Sequence, residues 1–210
     1  MSDVITFNTE DSITKSLIKP TLQKAATFNL VSEESLVLRQ VIPEFNFENA
    51  PVDANKFAST LVETCKQHQG IGLSANQCGY GYRVFVMGSG DEYVAFFNPK
   101  VLAERGESHM MEGCLSFPLL GLRITRPKEI DVSYQDFTGK QHFATFNGIS
   151  ARCFLHELDH MNGIVYTDRV KPLALKSGMD KCKKLMNRMS RLQASKQTAE
   201  RISNNVKNSN

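Results

Sequence analysis

Apolar positions recur along the chain at two periods, and the changes of period divide it. Over residues 53–68, Phe57, Leu61, Thr64, Cys65 and His68 share one face of a helical repeat, with Asp53 placed as N-cap and Gly70 as terminator. The pattern then becomes extended. Residues 83–87 and 93–98 read as strands joined by a turn at 88–91, and 99–105 continues in the same manner. A further strand is predicted over 122–125, another from the alternation of Ile130, Val132 and Tyr134, and Gly139 turns the chain into 141–146.

The helical period returns in 151–163, a stretch without proline that ends at Gly163, the residue type favoured just past a helix C-terminus. Ile149, Cys153, His156 and His160 form one stripe on it, and Ala151, Phe154, Leu155 and Leu158 a second, apolar one. A helix apolar or ligand-bearing on most sides is a central one. Downstream, Leu175, Met179, Cys182, Met186 and Met189 make a stripe expected to dock on the body. Lys181, Lys183, Lys184, Arg188 and Arg191 project elsewhere. These elements predict an α+β fold: short, mostly antiparallel sheets around the central helix that carries His156 and His160, with an amphipathic C-terminal helix. The expected divisions are an N-terminal extension over 1–34, with a short helix broken near Pro20, and a catalytic domain over 35–170 entered by an extended lead-in over 35–50. A basic helix over 171–198 and a polar, disordered tail over 199–210 complete the chain.

Composition changes this picture in two respects. The net charge of +3 implies no nucleic-acid partner by itself, and no DNA partner is expected. Its distribution is uneven, because ten Lys or Arg against two acids follow residue 170, leaving −5 on the rest. The five cysteines form no C-x-x-C pair, and the opening residues carry neither a secretory apolar run nor a basic, acid-poor transit composition. No run of about 18 apolar residues exists to span a membrane. The expectation is a cytoplasmic protein of a reducing compartment, in a bacterial or phage-infected bacterial cell rather than an organelle.

The chemistry begins in the central helix. His156 and His160 are four apart, so both imidazoles leave one face and can converge on one ion, with Glu157 completing His-Glu-x-x-His. Two histidines sharing a stripe with Ile149 and Cys153 are costly unless partnered. A third ligand is needed, and among the cysteines Cys114 is the one in a tight, glycine-flanked segment. One thiolate with two imidazoles is a borderline-soft set that leaves a fourth position open. Asp159, turned from the histidines and flanked by apolar residues, needs a partner of its own. Arg126 is expected first and Arg123 second.

Three segments, Gly70-Ile-Gly-Leu-Ser-Ala-Asn-Gln77, Glu112-Gly-Cys-Leu-Ser116 and His156-Glu-Leu-Asp-His160, resemble in order and spacing the signature motifs of peptide deformylase. The similarity covers about 36–192. It implies an enzyme that removes the formyl group from the initiator methionine of nascent polypeptides and releases formate. By that resemblance Cys114, His156 and His160 hold a divalent metal, with iron(II) the implied ion and zinc, nickel or cobalt the alternatives. Glu157 is the general base and acid, and Gln77 with the backbone N–H of Leu115 forms the oxyanion hole. Ile71, Gly72, Gly113, Ile149 and Cys153 line the peptide site. The resemblance also implies a ribosome contact through the basic helix. Ser74 stands where the family usually has alanine, and Leu155 where glutamine often precedes the first histidine. Two other readings use the same residues. A zinc endopeptidase would need a third His or Glu ligand, and Asp168 lies in no matching motif. A non-catalytic metal or RNA-binding protein has only the basic tail in its favour.

Overall fold

A computed structural model describes residues 26–207, with side chains through 197. The extension expected over 1–34 lies outside the described residues up to 25, as does the helix near Pro20. Its last part belongs to the body instead. Phe28 packs on Phe57 and Tyr80 with ring centroids 5.1 and 4.6 Å away, and its N–H donates to Thr64 Oγ1 at 2.9 Å. The lead-in that follows is extended except for a 3-10 turn at Leu36–Arg39 and a turn at 47–49.

Helix α1 (Ala54–Gln67) starts at Asp53, whose carboxylate accepts the Lys56 N–H at 2.9 Å, and buries Phe57, Ala58, Leu61, Val62 and Cys65. Then come β1 (Gly72–Ser74), β2 (Val84–Ser89), β3 (Glu92–Arg105), β4 (Ser108–Cys114), β5 (Phe117–Arg126), β6 (Glu129–Gln135) and β7 (Gln141–Asn147). They form a five-stranded sheet in the order β1-β2-β3-β6-β7 and a separate β4-β5 pair, with antiparallel neighbours throughout. Strand β4 has no counterpart among the expected strands, because 108–114 is half polar and gains its partner only from β5. The two extended stretches expected at 93–98 and 99–105 are one strand with register shifts. At the bend Asn98 takes a positive φ of 49°, and its side chain bonds the Phe45 N–H at 2.7 Å and the Phe45 carbonyl at 3.0 Å.

Helix α2 (Gly148–Met161) lies against the opposite face of the large sheet from α1. Along β2 the side chains alternate between them: Val84 and Val86 join the α1 core, Phe85 and Met87 the α2 core with Phe154. Both faces are covered, which is why β2 reads as an unbroken apolar run. Beyond α2, Gly163 adopts φ +70° with the Arg39 carbonyl packed against it, and Arg83 holds the same junction by donating to the Ile42 and Met161 carbonyls at 3.2 and 3.0 Å. Helix α3 (Pro172–Lys207) is longer than expected, since it continues through the stretch anticipated as tail; 208–210 lie outside the described residues. Its docking also differs. Leu175, Gly178 and Cys182 touch β5, whereas Met179, Met186 and Met189 of the expected stripe are 56, 46 and 44 % exposed. Gly178 shifts the contact by one residue: a Cβ there would lie 2.6 Å from Leu122 Cδ2, so the helix approaches closest where it has no side chain.

Candidate active site

Helix α2 is fixed on its apolar side, where Ala151, Phe154 and Leu155 are buried, so its other face meets the β4-β5 hairpin. There Cys114, at the end of β4, comes to His156 and His160. One donor atom from each lies within 4.8 Å of the others, and Cys114 Sγ is 3.3 Å from His160 Nε2. His156 is turned by Glu112, whose Oε2 is 3.1 Å from Nδ1, which leaves Nε2 for the cluster. The donor set and its closeness suit one divalent ion of borderline softness. Burial disfavours charge on His156, yet hydrogen bonds to Cys114 and Glu112 and the charge of Glu157 outweigh it and raise its pKa to about 10. For His160 burial and the charge of His156 act together, holding it neutral, well below the usual histidine range.

Behind the donors is a buried ionic network. Glu112 accepts from Arg126 Nε at 2.7 Å and Nη2 at 2.9 Å, and also from Arg152. Arg126 Nη1 reaches Asp159 at 2.8 Å, the expected partner, and Arg169 grips the same carboxylate. Arg123 remains exposed on β5. Glu112 is raised by burial, but hydrogen bonds from His156 and Arg126 and the Arg126 charge outweigh this and lower its pKa to about 2.

In front of the donors is a cleft of about 730 Å³, lined by Ile71, Gly72, Gln77, Gly113, Cys114, Leu115, Ile149, Cys153, His156 and Glu157 among others. His160, 1 % exposed, is not among the lining residues and meets the cleft only through the donor cluster. The carboxylate of Glu157 is buried, and burial is the main cause of its raised pKa. Gly72 keeps space beside it, since a Cβ there would lie 2.5 Å from Glu157 Oε1 and 2.7 Å from Cys153 Sγ. Gln77 is held at both ends: its Oε1 accepts from the Ser74 N–H at 2.9 Å, and its Nε2 donates to Ser116 Oγ at 3.1 Å.

Residues 28–176 match the family model described as polypeptide deformylase. The chain belongs to this family. Among similar proteins, the peptide deformylase of Thermotoga neapolitana is 42% identical over 113 residues, covering 53% of this chain and 69% of that one. That of Chromobacterium violaceum is 37% identical over 127 residues, covering 59% and 76%. The crystal structure of a peptide deformylase from Synechococcus elongatus in complex with actinonin aligns with a TM-score of 0.70 and 30% identity, over 79% of this chain and 92% of that one. The peptide deformylase of Thermotoga maritima aligns at 0.64 and 36%, over 70% and 99%.

The activity is therefore that of a peptide deformylase, hydrolytic removal of the N-formyl group from nascent peptides, in a family that depends on a metal. The fold brings together every candidate residue named from the motifs. Sequence reasoning passed over three that the structure adds. Glu112 stood inside a motif without a role, although a carboxylate two residues from a ligand is a natural second partner for histidine. Arg152, one helical turn before His156, carried the signal of a cation between the apolar positions Ala151, Cys153 and Phe154. Arg169 had none, because it joins Asp159 only through the turn after α2.

Proposed function

We propose that Cys114, His156 and His160 hold the catalytic ion and that Glu157 is the general base and acid of deformylation. The observation that carries this reading is a buried carboxylate beside three converging donor atoms, with Cys114, His156 and Glu157 all lining one cleft. An ion bound there would supply Lewis acidity, bringing the pKa of water toward neutrality and polarising the formyl carbonyl. Glu157, whose pKa burial raises, takes a proton from the attacking water and returns it to the amine nitrogen of the departing methionyl peptide. Gln77 Nε2 and the Leu115 N–H donate to the carbonyl oxygen as negative charge develops on it. Formate and a free amino terminus result. Ile71, Gly113, Ile149 and Cys153 receive the methionine side chain and its backbone, and Gly72 leaves the room.

The ion we assign is iron(II), on the resemblance to the family; the donor set itself also suits zinc, nickel or cobalt. Free cysteines at positions 65, 78, 114, 153 and 182 support a reducing, cytoplasmic setting. The partners are formylmethionyl nascent chains and, through α3, the ribosome. The test is Glu157→Gln. It is expected to keep a stoichiometric metal while hydrolysis of a formyl-Met tripeptide falls by orders of magnitude; an unblocked tripeptide should be left intact by the unaltered enzyme. Near-normal turnover by the variant, or cleavage of the unblocked peptide, would overturn the reading.

A further inference from the structure

Ser74 closes β1, is fully buried, and touches both groups assigned to the reaction. Its N–H donates to Gln77 Oε1 at 2.9 Å, and its hydroxyl lies 2.7 Å from Glu157 Oε2. The strand beneath it is held by the sheet, with Ser74 opposite Phe85 on β2, whereas Glu157 comes from α2. The hydroxyl is thus where the sheet grips the catalytic carboxylate.

A glutamate reaches its carboxylate through three rotatable bonds, and the last is broad and nearly unrestrained unless something bonds the oxygens. Here Oε2 is bonded and Oε1 is the oxygen beside Gly72, where the cleft begins. Misplacement of a reacting group by about an ångström can cost ~10²-fold in rate. We infer that Ser74 is a positioning residue for deformylation: its hydroxyl clamps Glu157 Oε2 so that Oε1 faces substrate, while its N–H sets Gln77 from the same point. The inference rests on Glu157 being the base. A substitution at the side chain leaves the N–H to Gln77 in place, while it removes the hydroxyl's bond to Oε2 together with its 3.1 Å contact to the Glu157 carbonyl and its capping of the Gln77 turn.

Ser74→Ala and Ser74→Cys, beside Glu157→Gln, test it, with kcat and KM on a formyl-Met tripeptide, metal content and Tm measured for each. Cysteine fills the space of serine but donates weakly. Both Ser74 variants should lose roughly tenfold in kcat, as for one hydrogen bond to a charged group, with KM within about twofold and the metal retained. A wild-type kcat in Ser74→Ala would overturn the clamp. So would recovery in Ser74→Cys, which would make the effect one of packing, or loss of metal in step with activity. If Glu157→Gln itself turns over normally, the base assignment falls and the clamp with it. If that variant is inactive while Ser74→Ala runs at the wild-type rate, only the clamp falls.

Discussion

Glu112 accepts from Arg126, Arg152 and His156, so replacing it by glutamine would take a shared counter-charge from two buried guanidiniums, leaving Arg126 only Asp159 and Arg152 only backbone carbonyls, and would loosen the imidazole. Breaking a buried pair by removing one partner costs about 3–5 kcal/mol, and losing the group that orients a ligating histidine costs ~10–100-fold in metal affinity. Glu112→Gln should therefore lower Tm and release metal to a weaker chelator than the unaltered protein requires. The pH dependence has a definite sign. The carboxyl is lowered from 4.5 to about 2, so its contribution is complete above pH 4.5 and is lost as pH falls toward 2. The acid limb of a stability curve should be steep in that window and flatter in Glu112→Gln. An identical limb in both proteins would show that the network lies idle.

Helix α2 carries the site because its two faces do different work, and its end is as constrained as its middle. Gly163 needs its positive φ, and a Cβ there would lie 2.7 Å from the Arg39 carbonyl oxygen, a backbone atom that no rotamer can move. Gly163→Ala should destabilise by about 2 kcal/mol or more, as expected where alanine meets a left-handed backbone, and a Tm within a degree of the unaltered protein would disprove this. The stripes on α2 were legible from spacing alone, as were the cap at Asp53 and the alternation in β6. Strand β4 was not, since a half-polar strand owes its form to its neighbour. The stripe on α3 was legible only in part: Leu175 and Cys182 dock as expected, but Gly178 makes the close contact in place of Met179, and Met186 and Met189 lie past the docked turns.

Charge is divided across the molecule, with +8 on the residues after 170 and −5 on those before. Past Cys182 the described side chains of α3 are exposed, among them Lys183, Lys184, Arg188 and Arg191. Among the described residues no helix is long and apolar enough to cross a membrane. If α3 meets ribosomal RNA, co-sedimentation with ribosomes should fade steeply with salt, because phosphate contacts release counterions. The truncation that tests it must respect the docked turns, since Leu175 and Cys182 pack against buried Leu120 and Leu122. Ending the chain at residue 186, with charge reversal at Lys181, Lys183 and Lys184, should abolish co-sedimentation while turnover of a free formyl-Met peptide stays unchanged. Association at low salt that survives this truncation would assign the contact elsewhere.

The proposed ligands and base, and the resemblance to the family, were legible in the sequence, because three short motifs each carry chemistry in adjacent residues. Local order suffices for His156 and His160, since helical geometry alone places them side by side. The network behind them is different in kind. Glu112, Arg126, Arg152, Asp159 and Arg169 come from β4, β5, α2 and the turn after it, and their pairing exists only once the hairpin lies on the helix. Ser74 reaches Glu157 across 83 positions for the same reason. Periodicity reports which face of an element is buried; which buried groups share a proton or a charge depends on distances between elements, and packing sets those.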